Sequence, residues 1–134
     1  MKKRSPSDAA DRKPRPVRWV GDSKSDVSAF PLEVKNRMGG ALWDAQIGLK
    51  SPAAKPLEGF GGAGVLEIVV DFDGNAFRTV YTVRFPEVVY VLHAFQKKSR
   101  HGIATPKSEM DVIRARLVRA KEDYDLWRRS GLSA

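Results

Sequence analysis

Residues 64–95 read GVLEIVVDFDGNAFRTVYTVRFPEVVYVLHAF, and this stretch decides the fold. It holds three β-rich runs, Gly64 to Phe72, Ala76 to Phe85 and Val88 to Phe95, parted by Asp73-Gly74-Asn75 and by Pro86-Glu87. Turns this short join antiparallel neighbours, so the runs predict a meander. In the second run the odd positions Phe77, Thr79, Tyr81, Val83 and Phe85 are mostly apolar. The even positions set Arg78 and Arg84 among Ala76, Val80 and Thr82. Successive side chains alternate across a sheet, so one face is expected to enter a core and the other to present two arginines.

Downstream of the meander, Thr105-Pro106 reads as a cap followed by proline at the first helical position. Met110, Ile113, Leu117, Ala120, Tyr124 and Trp127 then recur at steps of three and four, which predicts one helix of roughly 20 residues packed on the sheet. Upstream, Lys50 to Gly64 is rich in Pro, Ala and Gly and reads as a long loop. Before it, Phe30, Val34, Met38, Ala41, Leu42, Ala45 and Leu49 carry helical spacing, with Pro31 acceptable where it opens a second helical piece and Gly39-Gly40 a weak point. Val17 to Val20 is a short strand ending at Gly21. The expected fold class is α+β: a small antiparallel sheet, two N-terminal helical pieces and a C-terminal helix, in one domain over residues 17–134.

Composition bounds the rest. The 134 residues are 42% hydrophobic and 30% charged, enough for a core inside a solvated shell. No window approaches the ~18 apolar residues of a membrane span, and no apolar stretch follows Met1-Lys2-Lys3-Arg4, so a cytoplasmic protein is expected. With no cysteine, disulfides, thiolate metal sites and cysteine nucleophiles are excluded. A net charge of +8 points to a polyanionic partner. Half of that excess lies in residues 1–16, which hold three prolines and no large apolar side chain before Val17 and are expected to form a disordered basic tail.

Two motifs lead nowhere. Gly59 to Gly64 has the letters of a dinucleotide fingerprint but opens a strand instead of a helix, and no phosphate-binding lysine follows it. His93 and His101 have no cysteine or carboxylate arrangement to complete a metal shell, so neither metal nor cofactor is expected. His93 on a strand is more readily a structural histidine than an acid or base. The cations say more. The third run continues into Gln96-Lys97-Lys98-Ser99-Arg100-His101, and antiparallel pairing brings Lys97 and Lys98 to the end of the strand that starts near Arg78. Clustered cations of this kind suit a phosphodiester and the charge that develops on it during cleavage.

Phe77-Arg78-Thr79-Val80-Tyr81, Val91-Leu92-His93-Ala94-Phe95-Gln96-Lys97-Lys98-Ser99 and Thr105-Pro106-Lys107, with Trp19 to Ser23 and Ala29-Phe30-Pro31 nearer the start, resemble the toxins of the RelE superfamily, specifically the HigB-like branch of phage-derived proteins. The resemblance spans about Val17 to Tyr124. It implies a toxin of a type II toxin–antitoxin system, a metal-independent, ribosome-dependent mRNA endoribonuclease whose partners are a helix-turn-helix antitoxin, the ribosome and mRNA. By the same resemblance Arg78 contacts the scissile phosphate and Lys97 and Lys98 serve the leaving group. Glu67 is a candidate base, and Arg84, Arg100 and His101 are candidate RNA contacts. Active relatives often carry a cation two positions beyond Glu67, where this chain has Val69. That departure favours an alternative, a nonenzymatic RNA-binding or phage-remnant protein; a gyrase-targeting toxin of the same superfamily is a third reading.

Overall fold

The computed structural model describes residues 13–62, 64–97 and 105–131. Its five-stranded sheet has the order β1 (Val17–Trp19), β5 (Val89–Lys97), β4 (Asn75–Thr82), β3 (Val65–Phe72), β2 (Ala54–Pro56). The predicted meander is β3–β4–β5, antiparallel throughout. Asp73 and Gly74 connect β3 to β4 with φ of 51° and 79°. Positive φ at both central residues of a two-residue loop is the turn whose twist matches the flanking strands, and Asp-Gly is the pair that tolerates it. Because that turn is short it fixes the register, pairing Glu67 with Val80 and Val69 with Arg78.

Segments before β3 depart from the sequence reading. The expected loop between Lys50 and Gly64 contains β2, which pairs antiparallel with β3 and ends in Pro56 at the sheet edge, where a missing N–H costs nothing. The expected tail also reaches the fold: Arg15 N–H donates to the Gln46 carbonyl at 2.9 Å, and the Pro16 carbonyl accepts from Val89 N–H at 2.9 Å. The remainder of that tail, residues 1–12, lies outside the described residues. β1 then runs parallel to β5, making the sheet mixed.

Helices cover both faces. α1 (Ser23–Ser28) and α2 (Leu32–Gln46) are the two predicted pieces, with Pro31 in extended conformation just before α2. They bury Val34, Met38, Leu42 and Ala45 against Ile68, Val70, Phe77 and Tyr81. α3 (Lys107–Arg129) lies on the opposite face, with Ile113 and Ala120 fully buried against Val80, Tyr90 and Leu92 and with Met110 and Leu117 packed beside them. Strands covered on both sides need apolar residues on both faces, which is why β3 reads as a nearly continuous apolar run. The even face of β4, expected to lie open with its arginines, is therefore roofed by α3. The far half of α3 is held by an ion pair: Arg18 Nε donates to Asp123 Oδ2 at 2.6 Å, and the Tyr90 hydroxyl donates to the same oxygen at 2.6 Å. No helix among the described residues is long and apolar enough to cross a membrane.

Candidate functional site

The site is built on the α3 face of β3, β4 and β5. Register sets Val69, Arg78 and Phe95 in one row across the three strands, with Ala76 and Lys97 paired in the row beyond. Paired residues share a face, so Lys97 and Arg78 lie on the same side, as the sequence suggested. What the sequence did not show is the state of Arg78. Its Nη1 donates to Glu67 Oε1 at 3.0 Å, and the two side chains are only 3% and 1% exposed. The other carboxylate oxygen of Glu67 accepts from the Thr105 hydroxyl at 2.9 Å. Thr105, expected as a helix cap, instead ties the approach to α3 onto β3; Pro106 occupies the cap position, with no side-chain cap bond.

Beside this pair lies a second polar group. β5 carries an irregularity opposite Val80 and Tyr81, where His93 pairs with Val80 while Val91 pairs with Tyr81. Leu92 is the extra residue, and such a bulge re-aims its neighbours. Leu92 and His93 both meet α3 as a result: Leu92 joins the Ile113 cluster, and His93 Nδ1 lies 3.1 Å from Arg116 Nη1. Arginine only donates, so Nδ1 accepts and the ring proton sits on Nε2. Nε2 is 3.3 Å from Glu109 Oε1, close enough for attraction but without hydrogen-bond alignment. Arg116 also donates to the Leu92 carbonyl at 3.1 Å and packs over Gly21, where a Cβ would come within 2.7 Å of its Nε. On its other side the His93 ring stacks on the half-buried Phe95 ring at 5.2 Å.

Of the residues singled out from sequence, Glu67, Arg78 and Lys97 are brought to one end of one face. Arg84 is not: it follows the far end of β4, six residues or ~20 Å of strand from Arg78. There it is exposed, and its Nη2 donates to the Phe60 carbonyl, while Arg114 lies over the Phe60 ring at 5.6 Å. Lys98, Arg100 and His101 lie outside the described residues. The residues sequence reasoning missed are Thr105, Glu109 and Arg116. Glu109 and Arg116 are seven apart on α3 and flank its apolar stripe, a spacing that sets both on one side of a helix. Among the described residues no group of three His, Asp or Glu side chains is placed to hold a metal ion.

Comparisons with known proteins agree with the resemblance to phage-derived proteins. Residues 25–118 match the model of the family described as phage derived protein Gp49-like (DUF891). No curated protein matches. Among solved structures, the crystal structure of the toxin–antitoxin complex RelBE2 from Mycobacterium tuberculosis is similar at 20% identity over 63% of this chain and 100% of that one, with a TM-score of 0.38.

Proposed function

Since the chain belongs to the family of Gp49-like phage derived proteins, we propose that it is the toxin of a type II toxin–antitoxin pair, an endoribonuclease that cuts mRNA on the ribosome and is silenced by a helix-turn-helix antitoxin. The observation that carries this reading is the juxtaposition, on one sheet face, of a strand-fixed arginine, Arg78, with Phe95 beside it in the same row and Lys97 at the strand end in the row beyond. RNA cleavage of this kind needs no external nucleophile. The ribose 2′-hydroxyl gives up its proton as its oxygen attacks the adjacent phosphorus, the new P–O2′ bond closes a cyclic phosphate while the P–O5′ bond breaks, and the 5′-oxygen takes up a proton, so one proton is released and one consumed. The enzyme aligns the attack and stabilises charge on the phosphoryl oxygens.

In this reading Arg78 supplies a planar fork to the phosphate, and Lys97, with Lys98 beyond it, attracts the backbone and assists the leaving oxygen. Glu67, engaged through both oxygens, orients Arg78 instead of carrying the proton. Access to Arg78 requires the Thr105 end of α3 to give way, because Thr105 closes over the Glu67 partner of Arg78. Arg84 with Phe60 and Arg114 forms a separate cationic patch for the RNA or the ribosome.

The burial of Arg78 against Glu67 favours a second reading, a nonenzymatic RNA-binding protein in which the pair is purely structural. Expression with and without the neighbouring antitoxin gene, followed by single-turnover cleavage of ribosome-bound mRNA, separates the two. For the endonuclease, growth stops without the antitoxin, and Arg78→Lys, which keeps the charge beside Glu67 but loses the fork, lowers the cleavage rate by roughly 100-fold. Parental cleavage by a folded Arg78→Lys variant removes Arg78 from the chemistry. No cleavage by the parent removes the enzyme.

A further inference from the structure

On the opposite face of the sheet, away from Arg78, a pocket of about 460 Å³ opens between the end of α2 and the strands β2 to β4. Its size falls within the roughly 300–1,000 Å³ of small-molecule sites. Leu49, Leu66 and Val83 supply apolar wall, and the polar side chains on its lining are Tyr81, Arg15 and Lys50. No acidic residue lines it. Tyr81 is the informative one. Only 1% of it is exposed, it lines the pocket, and its hydroxyl has no hydrogen-bond partner among the described residues. That oxygen is not among the buried side-chain atoms that lack a partner, so it keeps contact with solvent, and a ligand group there would take the place of water. Burial, with a smaller effect from the charge of Asp44, also pushes its ionisation up to about 12, so at neutral pH it is a donor.

The two cations are held close by. The Arg15 backbone is pinned to α2 by its own N–H and by Gln46 Nε2, which donates to its carbonyl at 2.7 Å. Lys50 Nζ donates to the Ala54 carbonyl at 2.7 Å and to the Ser51 carbonyl at 3.5 Å, which fixes the ammonium near β2 and leaves it one further donor. A neutral donor and two cations around apolar walls, set against the single carboxylate of Asp44 near Tyr81 and outside the lining, leave a net positive site that complements one kind of molecule: an apolar body ending in a single anionic head.

We propose that this pocket binds a small carboxylic acid with an apolar body. The carboxylate accepts from the Tyr81 hydroxyl and is attracted by Arg15 and Lys50, and the hydrocarbon covers Leu49, Leu66 and Val83. The site is independent of the RNA-directed reading, because it uses none of the residues on the α3 face.

The test titrates octanoate, and in parallel octanol, into the full-length protein while amide NMR spectra are recorded. Saturable shifts confined to the neighbourhood of Leu49, Lys50, Gly64 and Val83, with octanol at least ~10-fold weaker, are expected. Tyr81→Phe removes the hydroxyl at nearly constant volume and should fold normally, since that hydroxyl contributes no internal bond; its affinity for octanoate falls roughly 2- to 10-fold. Arg15→Gln combined with Lys50→Gln lowers it by roughly 10-fold or more. Equal binding of octanol and octanoate, unchanged affinity in a folded Tyr81→Phe variant, or the absence of saturable shifts overturns the proposal. So does tighter binding of a leucine-ended peptide through its free C-terminal carboxylate, which reassigns the pocket to a protein terminus.

Discussion

Removing Arg78 while leaving Glu67 should destabilise the protein more than removing both. The pair is 3.0 Å apart and almost completely withdrawn from water, and the second oxygen of Glu67 is already committed to Thr105. In Arg78→Met the carboxylate keeps one neutral donor and loses its counter-charge, and breaking a buried pair from one side costs about 3–5 kcal/mol. A domain of this size has about 5–15 kcal/mol to lose, so the single variant unfolds at distinctly lower urea. Glu67→Leu takes its carboxylate partner from the buried guanidinium and also destabilises the protein. The double variant, Glu67→Leu with Arg78→Met, removes both desolvated charges and replaces them with apolar volume, so it should recover to within ~1–2 kcal/mol of the parent. Urea titrations of the four proteins at one pH give the coupling energy directly. Simple addition of the two single losses in the double variant would refute the argument, because it would mean that the charges do not depend on each other. The comparison also bears on function: a pair with strong coupling and no effect of Arg78→Lys on cleavage is structural only.

Three further outcomes follow from the packing. Ile113→Ala should cost ~2–5 kcal/mol and Val118→Ala, 60% exposed on the same helix, no more than ~0.5 kcal/mol, as read by urea or thermal unfolding. Asp123 is held below the usual carboxylate range by its hydrogen bond from Arg18, so its contribution is present in full above the unfolded value of 3.8 and is lost as pH falls through the lower folded value. The stability gap between the parent and Asp123→Asn should therefore be constant near neutrality, at ~1 kcal/mol or less because the pair is partly exposed, and should close as pH falls below about 4. Gly74→Ala, at a φ of 79°, should lose ~1–2 kcal/mol through backbone strain alone, with the remaining turn residues unchanged.

The parts of the fold that were legible are those with a local period. Alternation located β3, β4 and β5, Asp73-Gly74 joined the first two, and the three-and-four spacing from Met110 to Trp127 marked the buried side of α3. β2 was invisible because Ala54-Lys55-Pro56 has neither alternation nor β-branched residues; the free edge of β3 makes it a strand. Arg78 was found on the correct face, but alternation says only which side a residue takes and not what covers it. A signal for its partner did exist. The two-residue turn fixes the β3–β4 register, and that register puts Glu67 opposite Val80, one diagonal step from Arg78, within reach of long side chains. The bulge at Leu92 left no comparable trace, so the meeting of His93 with Glu109 and Arg116 could not be read from the strand pattern.

The parallel seam between β1 and β5 sets a timetable for the molecule. Val17 must wait for Val89, and at translation speeds of about 5–20 residues per second the two are synthesised roughly 4–14 s apart. During that interval α1 and α2 have been made, but the sheet that buries Val34, Met38 and Leu42 has not. The meander can close on its own through local turns and offers α2 its β3 and β4 partners, whereas β1 docks only after the last strand exists and loop closure over some seventy residues has been overcome. The first strand of this fold to be made, β1, is thus among the last to find its place. A chain interrupted before Val91 has no partner for Trp19 and no seat for Ser23, whose hydroxyl donates to the Val91 carbonyl.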